Sequence, residues 1–236
     1  MSGILLGGAY RDLLEAPLRA LGLAPVWLPD HPAVDPRLRG HADLAMTLAG
    51  ERAWLAPHLR ETEIPHILQN SGVSVAYSAV SLSNCYPKDA ALNLCIMEQH
   101  LIFAPDVHAK EIVETLTIQE GRIPIPVRQG YANCVCCVVD RESLITADRG
   151  VSRACEAAGL QVLTISPGHV ELSGFAYGFL GGASFFLAPG RLAFTGTLDK
   201  HPERKQILDF LERRRVEPIF LTQQPVFDIG GAFVFP

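Results

Sequence analysis

The sequence predicts an α/β protein in which five β-β-α-β units form a pseudo-symmetric propeller, closed into a single ring that takes in residues 1–236 as one domain. Three observations lead there. Four short apolar strings recur: Trp54-Leu55-Ala56-Pro57, Ile102-Phe103-Ala104-Pro105, Ile145-Thr146-Ala147-Asp148 and Ala193-Phe194-Thr195-Gly196. Aligned on Leu55, Phe103, Thr146 and Phe194, they lie 48, 43 and 48 residues apart, a period that marks a repeat architecture. Each string is preceded by an apolar run and a tight polar or glycine-containing link, and each is followed by a helical pattern and a further apolar run.

The elements follow in chain order. The first unit is a half copy, with a strand at 4–6, a helix at 12–22 and a strand at 26–28. Runs at 43–48, 92–97, 134–139 and 183–187 then turn back through Gly50-Glu51-Arg52, Glu98-Gln99-His100, Asp140-Arg141-Glu142 and Pro189-Gly190, so each run and its string read as a hairpin. The clearest helix opens after Asp148, a good N-cap. Val151, Ala154, Cys155 and Ala158 share one face, and Gly159 suits the stop. Another follows His201, the expected N-cap, and Pro202; its stripe is Ile207, Leu208 and Leu211, and Arg213, Arg214 and Arg215 suit the negative end of the helix dipole. Closing strands are expected at 73–77, 123–127, 162–165 and 219–222. The tail, 227–235, supplies the strand that the first unit lacks and removes an open sheet edge.

Composition narrows the function classes. Hydrophobic residues make up 48% of the 236 and charged residues 19%, enough apolar material for a sizeable core. A net charge of -5 argues against nucleic acid as a partner, and no run approaches a membrane span. Met1 to Gly8 is short and unflanked by basic residues, so it reads as a strand and not as an export signal. The six cysteines, Cys85, Cys95, Cys134, Cys136, Cys137 and Cys155, are then expected as reduced thiols in the cytoplasm. The sequence leaves the oligomeric state open.

Several strings together resemble a family: His41-Ala-Asp43, Tyr86-Pro-Lys-Asp89 with Leu92-Asn93, Gln129-Gly-Tyr131 with Cys134, Ile145-Thr-Ala-Asp148-Arg-Gly150, Gly174-Phe-Ala-Tyr177-Gly-Phe-Leu-Gly-Gly182, Gly196-Thr-Leu198 with His201-Pro202, and Asp228-Ile-Gly230. The resemblance is to the penteins, the fold of guanidino-group-modifying enzymes, and within them to an uncharacterised bacterial branch. It implies a pocket on the ring axis and a small guanidino or amidino metabolite as ligand. It also implies, for an enzyme, amidinohydrolase or amidinotransferase chemistry with a cysteine nucleophile. One departure matters: similar enzymes carry that cysteine in the last repeat, and here none follows Cys155. A non-catalytic interaction module on the same scaffold is therefore the alternative.

Where strand starts meet the axis, the candidate binding residues are Asp43, Asp89, Asn93, Asn133 and Asp228. A carboxylate such as Asp43 can hold a planar cation through paired charge-assisted hydrogen bonds. Asp89 after Tyr86-Pro87-Lys88, and Asp228 before Ile229-Gly230-Gly231, fit turns equally well. Cys134 is the candidate nucleophile. His169 and Glu171, on one face if their segment is a strand, form a candidate acid/base pair. Tyr177, among the glycines of 174–182, is a candidate pocket wall. His58, His66, His100 and His108 are expected in turns or on helix faces, open to solvent. Strand alternation puts Cys134 and Cys136 on one face and Cys137 on the other. No second Cys-x-x-Cys exists to complete a zinc site, so neither metal nor cofactor is expected.

Overall fold

The computed structural model describes residues 2–80 and 82–236. Its strands form five three-stranded sheets of one design. In the second unit β3 (Met46–Ala49) pairs antiparallel with β4 (Arg52–Leu55). α3 (Ile64–Asn70) then carries the chain over to β5 (Ser74–Tyr77), which lies parallel to β4. The third unit repeats this with β6 (Cys95–Ile96), β7 (His100–Phe103), α4 (Lys110–Glu114) and β8 (Ile123–Pro126). α4 runs on into a π-type turn at Thr115–Gln119. The fourth uses β9 (Cys137–Asp140), β10 (Ser143–Thr146), α6 (Arg149–Ala157) and β11 (Gln161–Thr164). The fifth uses β12 (Ser184–Ala188), β13 (Arg191–Phe194), α7 (Arg204–Arg213) and β14 (Glu217–Phe220).

The half unit is completed from the far end of the chain. β1 (Gly3–Gly7) leads through α1 (Arg11–Ala20) to the parallel β2 (Ala24–Leu28), and β15 (Phe233–Phe235) pairs antiparallel with β1. The register Gly3↔Phe235 lays the Phe235 ring where a Cβ on Gly3 would sit, so only glycine fits there. Neighbouring units pack side by side: β12 against β9 and β15, and α2 (Ala42–Ala45) against β1. Trp54 joins Leu92, Leu94 and Leu101 in a cluster shared by the second and third units. The ring is thereby closed, and the five innermost strands, β3, β6, β9, β12 and β15, surround its axis.

Local chemistry accounts for the elements. Asp148 accepts hydrogen bonds from the N–H groups of Gly150 and Val151 and caps α6. Gly159, at φ +89°, ends it. α7 begins two residues beyond Pro202, and the His201 Nδ1 accepts the N–H of Glu203 just before it. Apolar faces of helices and sheets meet in large clusters. Phe194, fully buried beside Ile145, Ile207 and Leu211, contributes about 2–3 kcal/mol through burial.

The inner strands start later than the sequence suggests. Residues 42–45 form the one-turn α2 before β3, and Ala132–Val135 form the one-turn α5 before β9, while β6 shrinks to two residues. Side chains compete with the sheet ladder at these points: the Asn93 Oδ1 accepts the N–H groups of Asn133 and Cys134. Because Cys134 sits on a helical turn, strand alternation does not relate it to Cys136. Two histidines expected in solvent are buried. His108 accepts from the Ala104 N–H and faces the Gly130 carbonyl at 2.7 Å, and His100 lies within the β7 ladder.

Candidate functional site

Each inner strand is preceded by a tight turn, and these turns converge on the axis. Asp43 comes from α2, Asn93 from the turn before β6, Asn133 and Cys134 from α5, and Asp228 from the turn before β15. All except Asn133 are buried. The Asp43 Oδ2 accepts from the Cys134 thiol at 2.8 Å and from the Asn133 Nδ2 at 3.0 Å. The Asn93 Nδ2 lies 3.3 Å from the Cys134 sulfur. Asp228 holds its neighbourhood together: Oδ1 accepts from the Gly230 N–H and Oδ2 from the Phe179 N–H. A Cβ on Gly182 would fall 2.0 Å from the Asp228 Oδ1, so the carboxylate reaches the axis only because that position has no side chain. Asp89 sits at the margin, accepting from the Tyr131 hydroxyl at 2.6 Å.

The sequence misses one member. His41 is 4% exposed, and its Nδ1 lies 3.9 Å from the Asp228 Oδ1. One nitrogen of His41, one carboxylate oxygen of Asp43 and the sulfur of Cys134 lie within 4.8 Å of one another. The available signal is the two-residue spacing of His41 and Asp43. Other candidates stay outside the cluster. His169 and Glu171 are exposed, on a segment where Glu171 makes only a single bridge with Phe227, so strand alternation does not pair them. His169 instead meets His201, with ring centroids 5.2 Å apart. Tyr177 is exposed and packs edge-on against Phe179.

Electrostatics set the state of the cluster. Burial raises the Asp43 carboxyl to about 6, opposed by His41 and by the hydrogen bonds from Cys134 and Asn133. Burial, with the charges of Asp43 and Asp228, pushes the Cys134 thiol well above its ordinary value, so it rests protonated and donates to Asp43. Burial also raises the phenols of Tyr10 and Tyr131, assisted by the neighbouring carboxylates. Two carboxylate oxygens, Asp43 Oδ1 and Asp89 Oδ1, and the His41 Nε2 are buried without a hydrogen-bond partner. Among the described residues, no lysine or arginine pairs with Asp43, Asp89 or Asp228. The cluster is short of positive charge.

Two different surroundings enclose it. On one side Val34, Leu38 and Leu44 form a small apolar cover with Leu82, Tyr131 and Leu172 packed against it. Arg37 clasps that cover: its guanidinium bonds Asp35 and the Gly174 carbonyl and stacks on Phe175 at 4.1 Å. On the other side a cavity of about 390 Å³ runs between the inner strands, with Asn133, Gly181 and Gly231 among its lining residues. Asn133 therefore touches both the cavity and Asp43. No helix among the described residues is long and apolar enough to cross a membrane.

Comparison with known proteins places this geometry. A family profile described as a family of unknown function, DUF6873, matches residues 6–233. No curated protein matches the sequence. Among solved structures, a cysteine-to-serine variant of DDAH from Pseudomonas aeruginosa, complexed with citrulline, is similar over 93% of this chain and 92% of its own. Its identity is 13% and its TM-score 0.54. A dimethylarginine dimethylaminohydrolase adduct with S-methyl-L-thiocitrulline matches with the same coverage, at 14% identity and a TM-score of 0.57. Agmatine deiminase of C. jejuni covers 93% of this chain and 86% of its own, at 8% identity and a TM-score of 0.50. The five-unit ring is thus the pentein fold.

Proposed function

Since the chain belongs to the family of unknown function DUF6873 and folds as a pentein ring, we propose that it binds a small planar amidinium or guanidinium cation at the ring axis, with Cys134 poised to attack it. One observation carries this reading. Asp43, Asp89 and Asp228 are buried, and among the described residues no lysine or arginine pairs with them, His41 at 3.9 Å from the Asp228 Oδ1 being the basic group beside them. Carboxylates are seldom buried unless paired, and a planar cation with N–H groups on two edges matches them. Two of the structurally similar proteins are named for dimethylarginine and agmatine, and one is complexed with citrulline, which fits a ligand of that size.

The chemistry follows from the contacts. The Cys134 proton already points at the Asp43 Oδ2. A bound cation stabilises the thiolate, so the proton can pass to that carboxylate and the negative charge moves from Asp43 to the sulfur. The thiolate then adds to the central carbon, a C–S bond forms, and the C–N bond to the leaving amine breaks as the amine takes up a proton. Water later cleaves the C–S bond. His41, beside both groups, is placed to exchange protons during these steps. A second reading, binding without cleavage in the cytoplasm, is supported by the raised Cys134 thiol and by the lack of any cysteine after Cys155.

Thermal shift separates charge from shape. Arginine and agmatine are expected to stabilise the protein, and citrulline, whose side chain is neutral, to do so far less. A haloacetamidine is expected to label Cys134 ahead of the exposed Cys85, and faster than a neutral haloacetamide does. Equal stabilisation by citrulline, or labelling spread evenly over the six cysteines, contradicts the proposal. Release of amine or ammonia from a stabilising compound decides between turnover and binding alone.

A further inference from the structure

We propose that His41, Asp43 and Cys134 also form a site for a thiophilic divalent cation, for which Zn²⁺ is the natural probe. The sequence argues against zinc on the thiols alone, and the fold supplies what they lack. It brings an imidazole and a carboxylate to Cys134, each offering a donor atom within 4.8 Å of the others. Bonds of about 2.0–2.3 Å to a tetrahedral zinc ion place its donors roughly 3.3–3.8 Å apart. Binding therefore requires the donors to draw together by about 1 Å. One nitrogen, one oxygen and one sulfur donor suit zinc in the arrangement that leaves a fourth position open.

Two further observations point to a ligand. The Asp43 Oδ1 and His41 Nε2 are buried and lack hydrogen-bond partners, on side chains that are 0% and 4% exposed. Buried orphans of this kind are rare, and a metal ion would satisfy both. The outer partners are also in place. Asp228 lies beside the His41 Nδ1 at an ion-pair distance of 3.9 Å, so Nδ1 is the nitrogen turned to a carboxylate. Asn133 holds the Asp43 Oδ2, and Asn93 fixes the Cys134 backbone. Binding replaces the thiol proton, which leaves to solvent, and a divalent ion balances one thiolate and one carboxylate. The ion and an amidinium both need Asp43, so each excludes the other.

The full chain, treated with chelator and then titrated with Co²⁺, tests the site without any guanidino compound. One equivalent is expected, with a thiolate-to-cobalt charge-transfer band that Zn²⁺ abolishes by displacement. Cys134→Ser should lose the band, and His41→Ala should weaken binding at least ten-fold. Cys136→Ser, altering a neighbouring thiol outside the triad, should leave both unchanged. The wild-type chain offers a control independent of variant folding. One equivalent of Zn²⁺ should protect Cys134, but not Cys85, from alkylation in intact-mass measurements. No binding at micromolar metal, a band that survives in Cys134→Ser, or unprotected Cys134 overturns the site. Any of these would leave the amidinium reading untouched, and a failed guanidino screen would leave the metal site standing.

Discussion

Asp43 is the residue on which the cluster turns, and its protonation gives a prediction with a definite sign. In the folded chain its carboxyl sits at about 6, against an ordinary 3.8, because burial disfavours the charge. The folded state therefore keeps a proton that the unfolded state has released between roughly pH 4 and pH 6. Through this residue the fold loses stability as pH rises across that window, by on the order of 3 kcal/mol in all. Urea midpoints of the metal-free wild type and Asp43→Asn, measured from pH 4 to 7.5, are expected to diverge in the variant's favour as pH rises. A constant difference would show that Asp43 ionises normally. The sequence reveals Asp43, Asn93, Asn133, Cys134 and Asp228 as polar groups at strand starts, and the fold brings these five together. His41 escapes because its two-residue spacing from Asp43 is the one local sign, and the Cys134 and Asp228 that it meets lie far away in sequence. His169 and Glu171 attract attention through alternation, a rule that holds only where a strand forms.

At the scale of elements, the one-turn helices before the inner strands matter most. Asp43 and Cys134 reach the axis because α2 and α5 turn where a strand would have run straight. The repeat spacing makes the hairpins and crossovers legible, since hydrophobic periodicity records burial. It does not record these turns, because they are held by side-chain hydrogen bonds between units far apart in sequence. The cover over the cluster is an element of the same kind. Arg37 ties it down by one carbonyl bond and one ring contact, both exposed and therefore weak. Arg37→Ala is expected to speed haloacetamidine labelling of Cys134 roughly five-fold while leaving the unfolding midpoint nearly unchanged. Unaltered labelling would mean that the reagent reaches Cys134 by the cavity between the inner strands.

Across the whole molecule, closure of the ring depends on a few residues of β15. Phe235 is 4% exposed and packs into the cluster that holds Leu5, Leu28 and Met46. Phe235→Ala is expected to destabilise the protein by about 3–5 kcal/mol, read from urea unfolding. Signals from β1 and from the distant β10 should weaken together if the ring unfolds as one unit, and β10 should hold if it does not. The same closure sets a timetable for synthesis. Asp43 is synthesised before Asp228 and Gly230, which complete its surroundings and come almost 190 residues later. At about 5–20 residues per second that interval is roughly ten to forty seconds. Until that segment has emerged the surroundings of Asp43 are incomplete, so its carboxylate is expected to stay hydrated over that interval.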